Sequence, residues 1–154
     1  MMKNSERVVI AGAGPVGLVS AMCLANEGIP VLVLEMGDQL PIDLRASTFH
    51  PPTLDMLDKF GITSKLIEAG LTASTWQYRD RESGERAEFN LGLISDRTSH
   101  PYRVQCEQHK MTRMILSELE SNDLVEVSFS TKVVDVDQDS DFVYLTIENN
   151  GEKN

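Results

Sequence analysis

Two runs of β-branched and aliphatic residues, Val8-Val9-Ile10 and Val31-Leu32-Val33-Leu34, flank a stretch in which apolar residues recur at helical spacing. Short continuous apolar runs predict buried parallel strands. Leu18, Met22 and Leu24, with Ala21 and Ala25 between them, predict a helix that Gly28 ends and Pro30 keeps from continuing. Further on, Leu54, Leu57 and Phe60 predict a helix over 53–60, preceded by Pro51-Pro52, which can start a helix but not sit inside one. A second short helix is expected over 64–69, ended by Gly70. Alternation and aromatic content predict a hairpin, with strands over 75–79 and 87–91 around a turn at 82–85. Met111, Met114, Ile115 and Leu119 form the apolar face of a helix expected from about 106 to 120. Three alternating strands follow, over 125–129, 132–136 and 142–147, the last two joined by an aspartate-rich turn.

The break after the first strand carries the chemistry. Gly12, Gly14 and Gly17 stand in a G-x-G-x-x-G spacing between strand and helix. The first glycine permits a tight turn, the second lets a pyrophosphate approach the backbone, and the third lets helix and strand pack closely. The helix start then offers unpaired N–H groups and a partial positive charge to phosphate. Glu35 ends the second strand, near the ~20-residue distance at which an acid meets ribose hydroxyls. The unit from Arg7 to Glu35 therefore predicts dinucleotide binding.

Charge and composition narrow the partners. The 154 residues carry a net charge of −10, which argues against nucleic acid or an anionic membrane. No apolar run approaches the ~20 residues of a membrane span. The polar start of the chain leads straight into a strand without a signal-peptide pattern, so a cytoplasmic location is expected. Cys23 and Cys106 match no metal or redox spacing. Cys23 is expected in the core and Cys106 as an ordinary thiol beside a surface helix. His50, His100 and His109 form no ligand set, and no metal is expected. The aspartates over 137–141 lack the glycine and terminal glutamate of a calcium loop and predict a solvated turn.

The run Gly12-Ala13-Gly14-Pro15-Val16-Gly17-Leu18, then Glu35, then Arg45-Ala46 ahead of Thr53-Leu54, then Gln105 at a helix start, resembles the class A flavoprotein monooxygenases of the para-hydroxybenzoate hydroxylase fold. The stretch 45–57 is especially similar to the phenol and hydroxyphenylpropionate hydroxylase branch. The resemblance implies an α/β, Rossmann-type FAD-binding fold in three layers (parallel sheet, helices, β-meander), with part of an inserted substrate-domain hairpin. It implies that 1–154 is the N-terminal portion of an FAD-binding monooxygenase domain, with about 72–100 belonging to the substrate-side sheet and the C-terminal remainder missing. The implied cofactor is FAD, with NAD(P)H as co-substrate. The implied reaction hydroxylates an aromatic small molecule with O2 through a flavin C4a-hydroperoxide.

By the same resemblance, Gly12, Ala13, Gly14, Pro15, Val16 and Gly17 hold the pyrophosphate, with Glu35 and the adjacent Met36 at the adenosine ribose. Arg45 contacts the cofactor near the pyrophosphate. Gln105, or Gln108 in the alternative register, reaches the ribityl–phosphate region, and the backbone near Val133 and Val134 reaches the adenine edge. No residue stands out as a catalytic acid or base. A chain of this extent is expected to hold FAD weakly and turn nothing over. It is also expected to leave the first strand as an apolar edge through which copies associate. An NAD-dependent dehydrogenase and a noncatalytic nucleotide-binding fragment are the alternatives, the first fitting Arg45 and the 75–91 hairpin poorly.

Overall fold

A computed structural model of the chain describes residues 6–42, 46–149 and 152–153. The chain divides into two compact units, Met1–Asp43 with Thr112–Asn154, and Leu44–Met111.

In the first unit, β1 (Val8–Ala11), α1 (Pro15–Asn26) and β2 (Val31–Leu34) form the expected parallel crossover. α1 packs on β1 and β2 through the buried Leu18, Ala21, Met22 and Ala25. Small residues on that face let helix and sheet approach closely. The sheet order is β1-β2-β8, with β8 (Val125–Ser128) parallel to β2. β2 is therefore central, and Val31, Val33 and Leu34 are buried. Among the described residues β1 stands at the edge, as expected, and Val8 and Val9 are accordingly 40% and 38% exposed rather than buried as their run alone predicts. Burial of an apolar strand depends on having a neighbour on both sides, which a run of valines cannot report. β9 (Thr131–Gln138), β10 (Val143–Asn149) and β11 (Glu152–Lys153) form an antiparallel meander. At its turn, Asp139 accepts the backbone N–H groups of Asp141 and Phe142 at 2.8 and 2.7 Å and the Tyr144 hydroxyl at 2.8 Å. Those bonds, led by the Asp141 N–H, hold its carboxyl below the ordinary range. The aspartates thus shape a turn.

In the second unit, β3 (Thr48–Phe49), β7 (Arg103–Gln105) and β4 (Leu71–Ala73) make a small antiparallel sheet in the order β3-β7-β4. Strands of two and three residues carry no alternation to read, and none of the three was expected from the sequence. Gly70 is glycine for their sake: a Cβ there would lie 2.6 Å from the Gln105 carbonyl oxygen. α2 (Pro51–Asp58) starts on the two prolines, earlier than expected, and α3 (Ile62–Ala69) packs on it. β5 (Thr75–Arg79) and β6 (Arg86–Asn90) form the expected hairpin, with Trp76 stacked on Phe89 at 4.3 Å between ring centres. α4 (Gln108–Leu119) begins in this unit and continues into the other, burying Met111, Ile115 and Leu119. Cys106 is buried at 2% exposure rather than lying at a surface, and Cys23 is half-buried rather than in the core. Among the described residues no helix is long and apolar enough to cross a membrane. Nor does any group of three or more His, Cys, Asp or Glu stand ready to hold a metal ion.

A clasp ties the segment before β7 to α2. The buried His100 ring places Nδ1 2.7 Å from Asp55 Oδ1 and Nε2 3.7 Å from Asp58 Oδ1, with Tyr102 edge-on at 5.8 Å. Thr98 and then His100 hydrogen-bond the Asp55 carboxyl and lower its pKa. A carboxylate with a depressed folded pKa contributes stability above its unfolded value, ~3.9, and loses it as pH falls through the folded one. Urea unfolding between pH 5 and pH 3 should therefore show a stability loss confined to the acid end, and Asp55→Asn should flatten it. An unchanged acid slope in the variant would count against the clasp.

Candidate functional site

The turn after β1 is built from backbone. Gly12 takes φ +103°, a conformation that L side chains rarely adopt, and its N–H donates to the Leu34 carbonyl at 2.7 Å. Gly14 is the N-cap of α1, with no side chain to cap the helix, and Pro15 fills the first position, where a missing N–H costs nothing. Leu18 N–H closes the first helical bond onto Gly14 at 3.0 Å. By position, the N–H groups of Val16 and Gly17 have no acceptor within the helix. They stand at the positive end of its dipole, where an anion is favoured.

The glycines differ in what they accommodate. At Gly17 a Cβ would fall 2.0 Å from the Gly12 carbonyl oxygen and 3.3 Å from Ile10 Cγ2, so this glycine is required by the fold. At Gly14 nothing lies within 4 Å of the Cβ position, and φ is an ordinary −71°. Nothing within the fold demands a glycine there. The open space in front of the helix start fits a phosphate group lying close against the backbone.

Glu35 belongs to this turn more directly than its sequence spacing indicates. Its Oε2 accepts the N–H of buried Ala13 at 2.7 Å, and its Oε1 accepts the N–H of Gly37 at 2.8 Å. Its backbone is held too: its N–H donates to Ser128 and its carbonyl accepts from Thr131, both at 2.8 Å. Each carboxylate oxygen keeps a second lone pair for an incoming hydroxyl. Gly37 is the residue that sequence reasoning missed here, and a glycine two positions after the acid was the available signal. Met36 is 70% exposed beside the carboxylate, and Val16 is 80% exposed at the helix start.

Val134 is the bulged residue of β9. The β9–β10 register pairs Asp135 with Thr146 and Val133 with Ile147, so Val134 sits in a bulge with no cross-strand partner. A bulge takes a residue's backbone groups off the ladder, where they can meet the polar edge of a base. The expected contribution of Arg45 lies outside the described residues.

Gln105 does not open the helix as expected. It ends β7, and α4 starts at Gln108. The Gln105 amide is engaged on both sides: its oxygen accepts from Thr48 Oγ1 at 3.0 Å and its nitrogen donates to Ser47 Oγ at 2.5 Å. These bonds fasten β7 to β3 and its approach. Beside them is a hollow of about 570 Å3 lined by Ser47, Gly70, Leu71, Gln105, Cys106 and Lys110, among others. Burial pushes the Cys106 thiol above its ordinary pKa, which keeps it protonated and a poor nucleophile. Lys110 is paired with Glu107 at 2.7 Å.

The first unit thus offers, on one turn and two strand ends, the donors and the acceptor that an adenosine diphosphate needs. A family model described as an FAD binding domain matches residues 5–154. The chain is similar to 6-hydroxy-3-succinoylpyridine 3-monooxygenase HspB of Pseudomonas putida (strain DSM 28022 / S16). The two are 34% identical over 134 residues, covering 87% of this chain and 34% of that protein. It is similar also to para-nitrophenol 4-monooxygenase of Pseudomonas sp. (strain WBC-3), at 32% over 147 residues, 96% of this chain and 36% of that protein. The crystal structure of p-nitrophenol 4-monooxygenase PnpA from Pseudomonas putida DLL-E4 superposes with a TM-score of 0.90 at 30% identity, over 99% of this chain and 39% of that one. The chain spans about a third of the length of the relatives it matches.

Proposed function

Because the chain belongs to the FAD-binding-domain family, we propose that it carries the adenosine-diphosphate-binding part of a flavoprotein that hydroxylates an aromatic compound with NAD(P)H and O2. The relatives named as acting on a hydroxypyridine and a nitrophenol support a hydroxyl-bearing aromatic ring as substrate class. The single observation that carries the reading is the glycine turn with Glu35 locked onto it through Ala13. In this reading the N–H groups of Val16 and Gly17 receive the diphosphate, Glu35 receives the ribose hydroxyls, and the exposed Met36 covers the adenosine. The bulged Val134 backbone meets the adenine edge. Arg45 would add charge near the diphosphate. The bound flavin supplies the redox chemistry. The hairpin β5–β6, within the span 72–100, is assigned to the substrate side.

Of the two glutamines, Gln108 suits the ribityl–phosphate contact better, since the Gln105 amide is already occupied. The test titrates FAD, ADP and NAD against the purified chain by calorimetry. FAD and ADP should bind with affinities within about tenfold of each other, because their shared half makes the contacts. NAD carries the same adenosine diphosphate half and should bind in the same range. Gln108→Ala should lower FAD affinity and leave ADP unchanged. Binding of NAD alone would favour a dehydrogenase, and no binding of any nucleotide would sink the reading.

A further inference from the structure

The hairpin β5–β6 holds a feature that the flavin site does not use. Its register places Arg79 directly opposite Arg86. Like charges at directly opposed positions repel, and a hairpin gains nothing by pairing them. Two residues before Arg79, on the same face, Gln77 is opposite Glu88. The Gln77 amide oxygen accepts both Nε and one terminal nitrogen of Arg79, at 2.9 and 2.5 Å, and its amide nitrogen donates to Glu88 at 2.5 Å. A neutral amide therefore stands between the arginine and the glutamate. Arg81 joins from the turn, and the three arginines line a hollow of about 680 Å3 with Gln77, Asp80 and Gly84.

The one carboxylate in that lining has its Oδ1 committed to the turn. Asp80 Oδ1 accepts the turn N–H groups of Glu82 and Ser83 at 2.7 and 3.3 Å. Among the described residues no carboxylate lies within ion-pair distance of Arg79, Arg81 or Arg86. Three unneutralised guanidinium groups around one hollow stand out in a chain whose net charge is −10. Guanidinium forks match the paired oxygens of a phosphate, and several together suit a dianion.

We infer that this hollow binds the phosphate monoester dianion of a small molecule, with Arg79, Arg81 and Arg86 as its ligands. The inference does not depend on the flavin reading, because it concerns the other unit. A free phosphate ion and the 2′-phosphate of a nicotinamide dinucleotide share this chemistry, and the experiment separates them.

Trp76, the chain's single tryptophan, follows the alternation to the opposite face of the hairpin from Gln77 and Arg79, where it stacks on Phe89, so its emission reports whether a variant keeps the hairpin folded. The test is a calorimetric titration with orthophosphate, NADPH and NADH at low ionic strength, with ADP affinity measured in parallel. Orthophosphate should bind saturably, and Arg86→Gln should weaken that binding by about tenfold or more while leaving ADP affinity unchanged. Arg97→Gln, outside the hollow, should leave phosphate binding as it was. NADPH binding at least tenfold tighter than NADH, with the difference lost in Arg86→Gln, would support the site and name the nicotinamide cofactor as the source. Phosphate binding without that preference would support the site and assign the monoester to another molecule. No saturable phosphate binding, or binding that Arg86→Gln leaves intact while the Trp76 emission of the variant stays native, would overturn the inference.

Discussion

Gly17→Ala is expected to lower the thermal midpoint by roughly 6 to 12 °C and to abolish ADP binding. The added methyl would lie 2.0 Å from the Gly12 carbonyl oxygen and 3.2 Å from its carbonyl carbon. Both are backbone atoms of a turn whose φ of +103° has little room to change, so neither can swing aside as a side chain would. Overpacking a well-packed site costs ~1–3 kcal/mol, and a clash with fixed backbone belongs at the top of that range or beyond. At ~2–4 °C per kcal/mol for a chain of this size, the midpoint shift follows. Gly14→Ala provides the contrast. Its methyl meets nothing, and an ordinary φ is kept. Loss of backbone freedom in the unfolded chain favours alanine by ~0.4–1 kcal/mol. Alanine is the poorer N-cap by a similar amount, so stability should stay nearly unchanged. The methyl would nevertheless occupy the space where a phosphate must approach, and ADP affinity should fall by about tenfold or more. Calorimetry on both variants decides the point: equal ADP affinity in Gly14→Ala and the parent would mean that no phosphate lies against this turn.

The second large effect is expected at Glu35. Glu35→Ala removes the acceptor of the Ala13 and Gly37 N–H groups at 2.7 and 2.8 Å. Ala13 is fully buried, so its N–H is left without an acceptor in a place that water reaches poorly. A hydrogen bond to a charged group contributes ~1.5–3 kcal/mol, so ADP affinity should fall roughly ten- to hundredfold, part of it through the loosened turn. Glu35→Gln separates the two roles. An amide keeps one acceptor oxygen but presents a donor to the second backbone N–H, so it should lose most of the turn's order and not only the ribose contact. Hydrogen exchange at Ala13 reports that order without ligand. Exchange as slow in Glu35→Gln as in the parent would show that the carboxylate does not hold the turn.

Much of the site was legible before the structure, because its logic is local. Three glycines at fixed spacing between a strand and a helix, and an acid at the next strand's end, depend on contacts within about thirty residues. Those residues could be named with their roles. The elements that were missed are non-local or too short to leave a pattern. β3, β4 and β7 have two or three residues each, and their pairing brings Thr48 to Gln105 and Leu71 to Gln105. That pairing turned Gln105 from a helix-opening residue into a strand end with an occupied amide. It also gave Gly70 its reason, which a helix-stop reading had missed.

The amino-acid sequence by itself determined the β1–α1–β2 unit, its glycine turn and the acid at the end of β2, since hydrophobic period and glycine spacing act over short range. Only the tertiary structure decided that Glu35 binds the glycine turn through Ala13, that Val134 is bulged out of its ladder, and that Arg79 faces Arg86. Each of these depends on which strand lies beside which and in what register. Register is a property of pairs of strands brought together by packing, so it is written in no single segment of the chain.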